Sequence, residues 1–164
     1  MNGTTNNAAS VGAEMGDSGE AVTQLNSLLR GEISAAETYR MAIDKVADSD
    51  NTANAGLLRE IQEEHGRAAQ GIRDRIRELG GEASDSSGAW GAWAKTVQGT
   101  MNLFGDASSL KALKEGEEHG LKDYQEAVDD VDASSAQLIQ NQLIPAQQRH
   151  INLLDQLINS VGTA

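Results

Sequence analysis

The sequence contains no cysteine. That excludes a disulfide framework, thiolate metal sites and thiol nucleophiles. It contains a single proline, Pro145, so helix formation is interrupted by a missing backbone donor at one place only. No run of about 18 apolar residues occurs, and no segment is expected to span a membrane. The N-terminus lacks a basic stretch followed by an apolar one, and it is not expected to act as a signal peptide. Basic residues are few, 13 against 25 acidic ones in 164 residues, for a net charge of -12. This balance argues against nucleic acid and anionic membrane surfaces as partners, and its plainest role is solubility. A nucleophile triad, a glycine-rich phosphate loop and zinc-finger spacing are also missing. The expected location is cytoplasmic.

What is present is helical periodicity with a polar interruption. Leu25, Leu28, Glu32, Ala35, Tyr39, Ala42 and Val46 follow one another at alternating steps of three and four, the core seam of a bundled helix. A carboxylate at Glu32 in that seam is costly unless something compensates it. A constant offset of 85 residues carries the seam onto Leu110, Leu113, Glu117, Gly120, Tyr124, Ala127 and Val131. The same offset carries Gly31 to Gly116, and Leu58, Gln62 and His65 to Leu143, Gln147 and His150. One offset across two helices and their loop makes the repeated unit a helical hairpin. Two hairpins about a pseudo-twofold axis are therefore expected. Glu32, Gln62, His65, Glu117, Gln147 and His150 should meet in one polar layer.

The elements follow from local signals. Residues 1–17, rich in Asn, Thr, Gly and Ala without apolar period, are expected to be a disordered tail, and 18–160 the bundle. Asp17 and Glu20 have capping-box spacing, which starts a helix near Ser18 and runs it to about Asp48. A second helix is expected from about Thr52 to Leu79, stopped by Gly80-Gly81. Glu82 to Gly105 lies outside the repeat. It reads as a crossover between hairpins, with a short helix marked by Trp90, Trp93, Val97 and Met101. The two tryptophans suit core cover or a partner site. A third helix should run from the Asp106 cap to about Val131 and a fourth from about Ser134 to Asn159. Pro145 should free the Asn141 carbonyl and kink or break the fourth helix just ahead of Gln147. The fold class is all-α, an antiparallel four-helix bundle of two hairpins joined by a crossover.

Gln62 and His65, like Gln147 and His150, are three apart and face one way. Two glutamates from one helix pair, and an i, i+3 pair ending in His from each of the others, is the layout of carboxylate-bridged di-metal bundles. Over about Ser18 to Asn159 the chain resembles the ferritin-like superfamily, which includes rubrerythrin and bacterioferritin. It most resembles a small bacterial branch catalogued only as a domain of unknown function. The resemblance rests on Gly31-Glu32 with Tyr39, and on Gly116-Glu117 with Tyr124. It also rests on Gln62-Glu63-Glu64-His65 and Gln147-Gln148-Arg149-His150, which stand where the family has Glu-x-x-His. It implies a left-handed bundle with one crossover that binds iron or manganese, for ferrous oxidation, peroxide or oxygen reduction, or iron storage.

Both bridging glutamates of that motif are glutamine here. A neutral amide oxygen is a poor bridge between two cations, and two carboxylates balance one divalent ion rather than two. One reading is therefore a single iron, manganese or zinc site built from Glu32, Gln62, His65, Glu117, Gln147 and His150. The other is metal-free. Protonated His65 and His150 pair with Glu32 and Glu117, the glutamines fill the remaining bonds, and the network sets the register of the bundle. A metal site should empty below about pH 6 as its imidazoles protonate. A His–Glu network should weaken instead as pH climbs through the raised histidine value. Glu63, Glu64 and His119 lie off the site faces and read as solvated. Tyr39 and Tyr124 read as core tyrosines with bonded hydroxyls rather than redox groups. A role through association, including a homo-oligomer, stays open, and no catalytic activity is assigned.

Overall fold

The computed structural model describes residues 7–47, 52–88 and 107–162. Among these residues all regular structure is helical and no strand occurs. Helix α1 spans Asn7–Ala47 and α2 spans Thr52–Glu78. Helix α3, Ala107–Ala127, passes into a 3-10 turn at Val128–Asp130. The fourth stretch is continuous: α4, Ala133–Leu138, then a π turn, Ile139–Leu143, then α5, Ile144–Gly162. No helix among the described residues is long and apolar enough to cross a membrane.

Two boundaries and one internal turn differ from expectation. Helix α1 begins at Asn7, so residues 7–17, expected in a disordered tail, are helical. A helix already held by packing extends at little cost through alanine-containing sequence. Helix α3 closes at Ala127, ahead of Val131, because the chain tightens there to a 3-10 turn. Ahead of Pro145 the fourth helix widens rather than breaks. The Ile144 N–H bonds the Ile139 carbonyl five residues back, so one π turn absorbs the donor that the proline lacks. The link between the first two helices at residues 48–51, the Asp106 cap and the crossover helix expected around Trp90 and Trp93 lie outside the described residues.

The apolar seams close into two clusters, one on each side of a polar layer. One cluster joins Tyr39, Ala42 and Val46 of α1 to Leu58 and Ile61 of α2, Leu110 and Leu113 of α3, and Leu154 and Leu157 of α5. The other joins Leu25, Leu28 and Leu29 to Ala69, Ile72 and Ile76, with Tyr124, Ala127, Ile139 and Leu143. Glu32, His65, Glu117 and His150 fall between them in every helix. Two dry plugs thus keep water from reaching that layer along the bundle axis.

The ends of the helices are tied locally. Gly80, with φ of +76°, supplies the left-handed residue that stops α2, and the Gly81 N–H returns to the Ile76 carbonyl at 2.9 Å. The chain then climbs along α1. Asn26 Nδ2 donates to the Glu82 carbonyl at 2.9 Å and Asn26 Oδ1 accepts from the Ser84 N–H at 2.8 Å. Arg30 reaches Ser84 Oγ at 3.1 Å, and Ser87 Oγ donates to Glu37 at 3.1 Å. Asp132 caps α4 by accepting the N–H groups of Ser134 and Ser135, and Arg75 of α2 binds the same carboxylate at 2.7 Å. That pair joins the first hairpin to the fourth helix.

Asp132→Ala removes both the cap and the partner of Arg75. It should lower unfolding free energy by about 1–2 kcal/mol in urea titration. Asp74→Ala, at an exposed ion pair with Arg77, should change it by less than about 0.5 kcal/mol. Equal losses would contradict the tie described here.

Candidate metal centre

Each helix brings one or two polar side chains to the layer, at the point where its apolar seam is interrupted. Glu32 comes from α1, His65 from α2, Glu117 from α3, and Gln147 and His150 from α5. All five are buried. Glu117 lies at the centre. Its Oε1 accepts the Tyr39 hydroxyl at 2.5 Å and faces His65 Nε2 at 3.0 Å. Its Oε2 faces His150 Nδ1 at 3.2 Å. Glu32 is held in a related way: His65 Nδ1 lies 2.8 Å from Oε2, and the Tyr124 hydroxyl donates to Oε1. Each tyrosine therefore serves the glutamate of the other hairpin. The Tyr39 ring also stacks on His65, centroids 5.4 Å apart, and the two imidazoles lie 4.9 Å apart.

The electrostatics follow from these contacts. Burial disfavours a charged imidazole, but Glu117 and Glu32 outweigh it and hold the His65 pKa well above its usual value. Both His65 nitrogens face carboxylate oxygens, an arrangement that calls for two N–H donors and hence the imidazolium. Burial likewise disfavours a charged Glu117. The charge of His65 and the hydrogen bonds from His150 and His65 reverse this and pull its carboxyl down to about 2. Burial, joined by the neighbouring glutamates, pushes both tyrosine hydroxyls up, so they act as donors and not as phenolates.

The structure brings Glu32, His65, Glu117 and His150 together and treats the two glutamines differently. Gln147 is buried, but its amide donates to the Glu117 backbone carbonyl at 3.0 Å. It ties α5 to α3 where a Cβ on Gly120 would stand only 2.7 Å from Gln147 Nε2. Gln62 is half-buried, and none of the hydrogen bonds described for the layer includes it. Glu63 and His119 are exposed, as expected. Glu64 is not in open solvent, contrary to expectation. Its side chain is 20% exposed, its Oε2 lies 2.9 Å from His150 Nε2, and Arg149 binds it at 3.1 Å. The fourth helix lies close enough for Glu64 to reach His150 across the α2–α5 seam, although its own helix turns it away from His65. The offset of 85 carries the sequence signal for this, because it pairs Glu64 with Arg149, opposite charges next to each histidine.

As a donor set, His65, Glu117 and His150 each offer one ligand atom, and those atoms lie within 4.8 Å of one another. Two imidazoles and one carboxylate suit a single iron, manganese or zinc ion. Glu32 and Glu64 stand behind the two imidazoles, each against the ring nitrogen that faces away from Glu117. Carboxylates in that position orient ligating histidines and raise their basicity. The set also closes without an ion, since every buried side-chain nitrogen and oxygen among the described residues has a hydrogen-bond partner.

Fold and site together define an all-helical bundle with a buried carboxylate–imidazole–phenol layer. The chain belongs to the family described as Domain of unknown function (DUF2383), whose model matches residues 20–130. The matched span carries Glu32, His65, Glu64 and Glu117 and ends before His150. No curated protein and no solved structure matches the chain.

Tyr39→Phe and Tyr124→Phe should each cost about 1.5–3 kcal/mol in denaturant unfolding, the range for a bond to a charged acceptor. Losses below about 0.5 kcal/mol would show that the hydroxyls are idle. The metal-free protein should also have a definite pH profile. His65, with a raised pKa, contributes fully below its ordinary value of 6.5 and loses that contribution as pH rises through the raised value. Glu117 contributes fully above its ordinary 4.5 and loses its contribution as pH falls toward about 2. Melting temperatures of chelator-treated protein should therefore stay level from pH 6.5 to 4.5 and fall on the alkaline side. A marked drop between pH 6.5 and 4.5 would contradict the charge state assigned to the layer.

Proposed function

We propose that the protein is a ferritin-like four-helix bundle that binds one divalent metal ion through His65, Glu117 and His150, with a role in metal handling or oxidative stress. The observation that carries this reading is the convergence of two buried imidazoles and one buried carboxylate, their ligand atoms within 4.8 Å of one another. Glu32 and Glu64 back the two histidines in this reading. Bound iron or manganese would supply one-electron redox chemistry, and zinc would supply Lewis acidity.

The ferritin-like reading is supported by the offset of 85 residues. It relates Tyr39–Glu117 to Tyr124–Glu32, and His65–Glu32 to His150–Glu117. It also carries Leu25, Leu28 and Ile72 of one core cluster onto Leu110, Leu113 and Leu157 of the other. A duplicated hairpin with a twofold axis through the polar layer would produce these correspondences. The glutamine substitutions agree with one ion rather than two. Gln147 is engaged with backbone and Gln62 lies aside, so neither adds a bridging charge.

A second reading is favoured by the completeness of the hydrogen bonding. In it the layer is a metal-free network that fixes the packing of an association bundle.

Metal analysis of protein purified without chelator, followed by titration with ferrous, manganous and zinc ions, separates the two. The metal reading expects about one ion per chain, lost in His150→Ala. Glu32→Gln should weaken affinity by about 10–100-fold while keeping the stoichiometry. Absence of metal both as purified and after titration would leave the network reading standing.

A further inference from the structure

A cleft lies between α1 and α3 beside the polar layer, with Glu32, Tyr39, His65, Glu117 and Tyr124 in its walls. Its volume is about 80 Å3. It has room for water, or for a cation that has shed part of its shell. The cleft exists because the facing residues are small: Gly31 and Ala35 on α1, Gly116 and Gly120 on α3. A Cβ built on Gly31 would meet no atom within 4 Å.

The α3 wall continues outward to His119 and Asp123, one helical turn apart, with Nε2 to Oδ2 at 3.6 Å and side chains 55% and 28% exposed. Acidic groups thus run from Asp123 at the partly exposed end to Glu117 and Glu32 inside. A cleft walled by one sign of charge concentrates the opposite ion, and a chain of net charge -12 adds to that field. The opposite face of the bundle differs. The hollow between α2 and α5 reaches only His150 of the three ligands, and the Glu64–Arg149 pair stands against that histidine.

We infer that the α1–α3 cleft is the passage by which a divalent cation enters the layer, with Asp123 and His119 as its outer station. This rests on the metal reading above and adds the route to it. It explains why a site closed along the bundle axis by two apolar clusters has small residues on one flank only.

The test follows uptake of Co2+, an optically visible stand-in for the physiological ion, by the full chain in stopped-flow and at equilibrium. Gly31→Leu fills the cleft where space is open. Gly56→Leu makes the same change at an exposed position of α2 outside the cleft, where an added Cβ also meets nothing. Asp123→Asn keeps shape and removes the outer charge. Gly31→Leu and Asp123→Asn should each slow uptake by roughly tenfold with equilibrium stoichiometry unchanged, and Gly56→Leu should leave the rate alone. A wild-type rate in Asp123→Asn, or in folded Gly31→Leu, overturns the passage while the metal site survives, as does equal slowing in Gly56→Leu. No Co2+ bound by the wild type at equilibrium overturns both.

Discussion

The buried carboxylate of Glu117 is the group on which the remaining arrangement depends. It receives a hydroxyl from α1, faces an imidazole from α2 and another from α5, and its own backbone carbonyl takes the Gln147 amide. One residue of α3 is thus bound to all three other helical stretches. A carboxylate this deep is tolerable only when each oxygen is satisfied and a positive charge lies near. Sliding any helix by one turn would withdraw a partner and leave a charged oxygen bare. The apolar clusters supply most of the driving force for association. They discriminate poorly between registers, since leucine on leucine fits at several offsets. In the metal-free reading proposed above, the polar layer selects one.

Around that centre the two halves are alike but not equal. Both glutamates take a tyrosine hydroxyl from the opposite hairpin and a histidine Nδ1 from their own. The second nitrogens diverge. His65 Nε2 turns inward to Glu117, whereas His150 Nε2 turns outward to Glu64. Glu64 has Arg149 at the position the offset pairs with it, so His150 gains a second carboxylate partner that His65 does not receive from residue 149. The layer has a hollow on the α2–α5 flank that reaches His150 past the Glu64–Arg149 pair, and a narrower cleft between α1 and α3, where glycine and alanine face each other and His65 and Glu117 are reached. In the proposed metal reading this asymmetry makes one central carboxylate the ligand and the other a support behind His65.

Much of the fold was legible because it depends on period. Leucine and isoleucine at steps of three and four mark a buried helical face wherever the partner lies, and the observed clusters use those residues. Gly80-Gly81 stops α2 through backbone geometry, which is also local. Helix ends without such chemistry were less legible. Helix α1 extends to Asn7 because elongating an existing helix costs little, a property of the whole helix that no residue near Ser18 reports. At Pro145 the lost donor was evident, but a π turn and a break relieve it equally well on paper. Packing of Ile139 and Leu143 into the core accompanies the π turn.

In the candidate site, side-chain chemistry and helical spacing alone determined that Glu32, His65, Glu117 and His150 share an interior layer. A charge in an apolar seam needs partners, and the offset named them. Tertiary structure alone decided which partner each atom takes. Gln62 is left aside, Gln147 is spent on a backbone carbonyl, the tyrosines cross between hairpins, and Glu64 reaches the histidine of another helix. Those outcomes turn on the distance and rotation between helices to within about one hydrogen-bond length. Helical periodicity fixes which way a side chain points from its own axis and carries no information about how near the next axis lies.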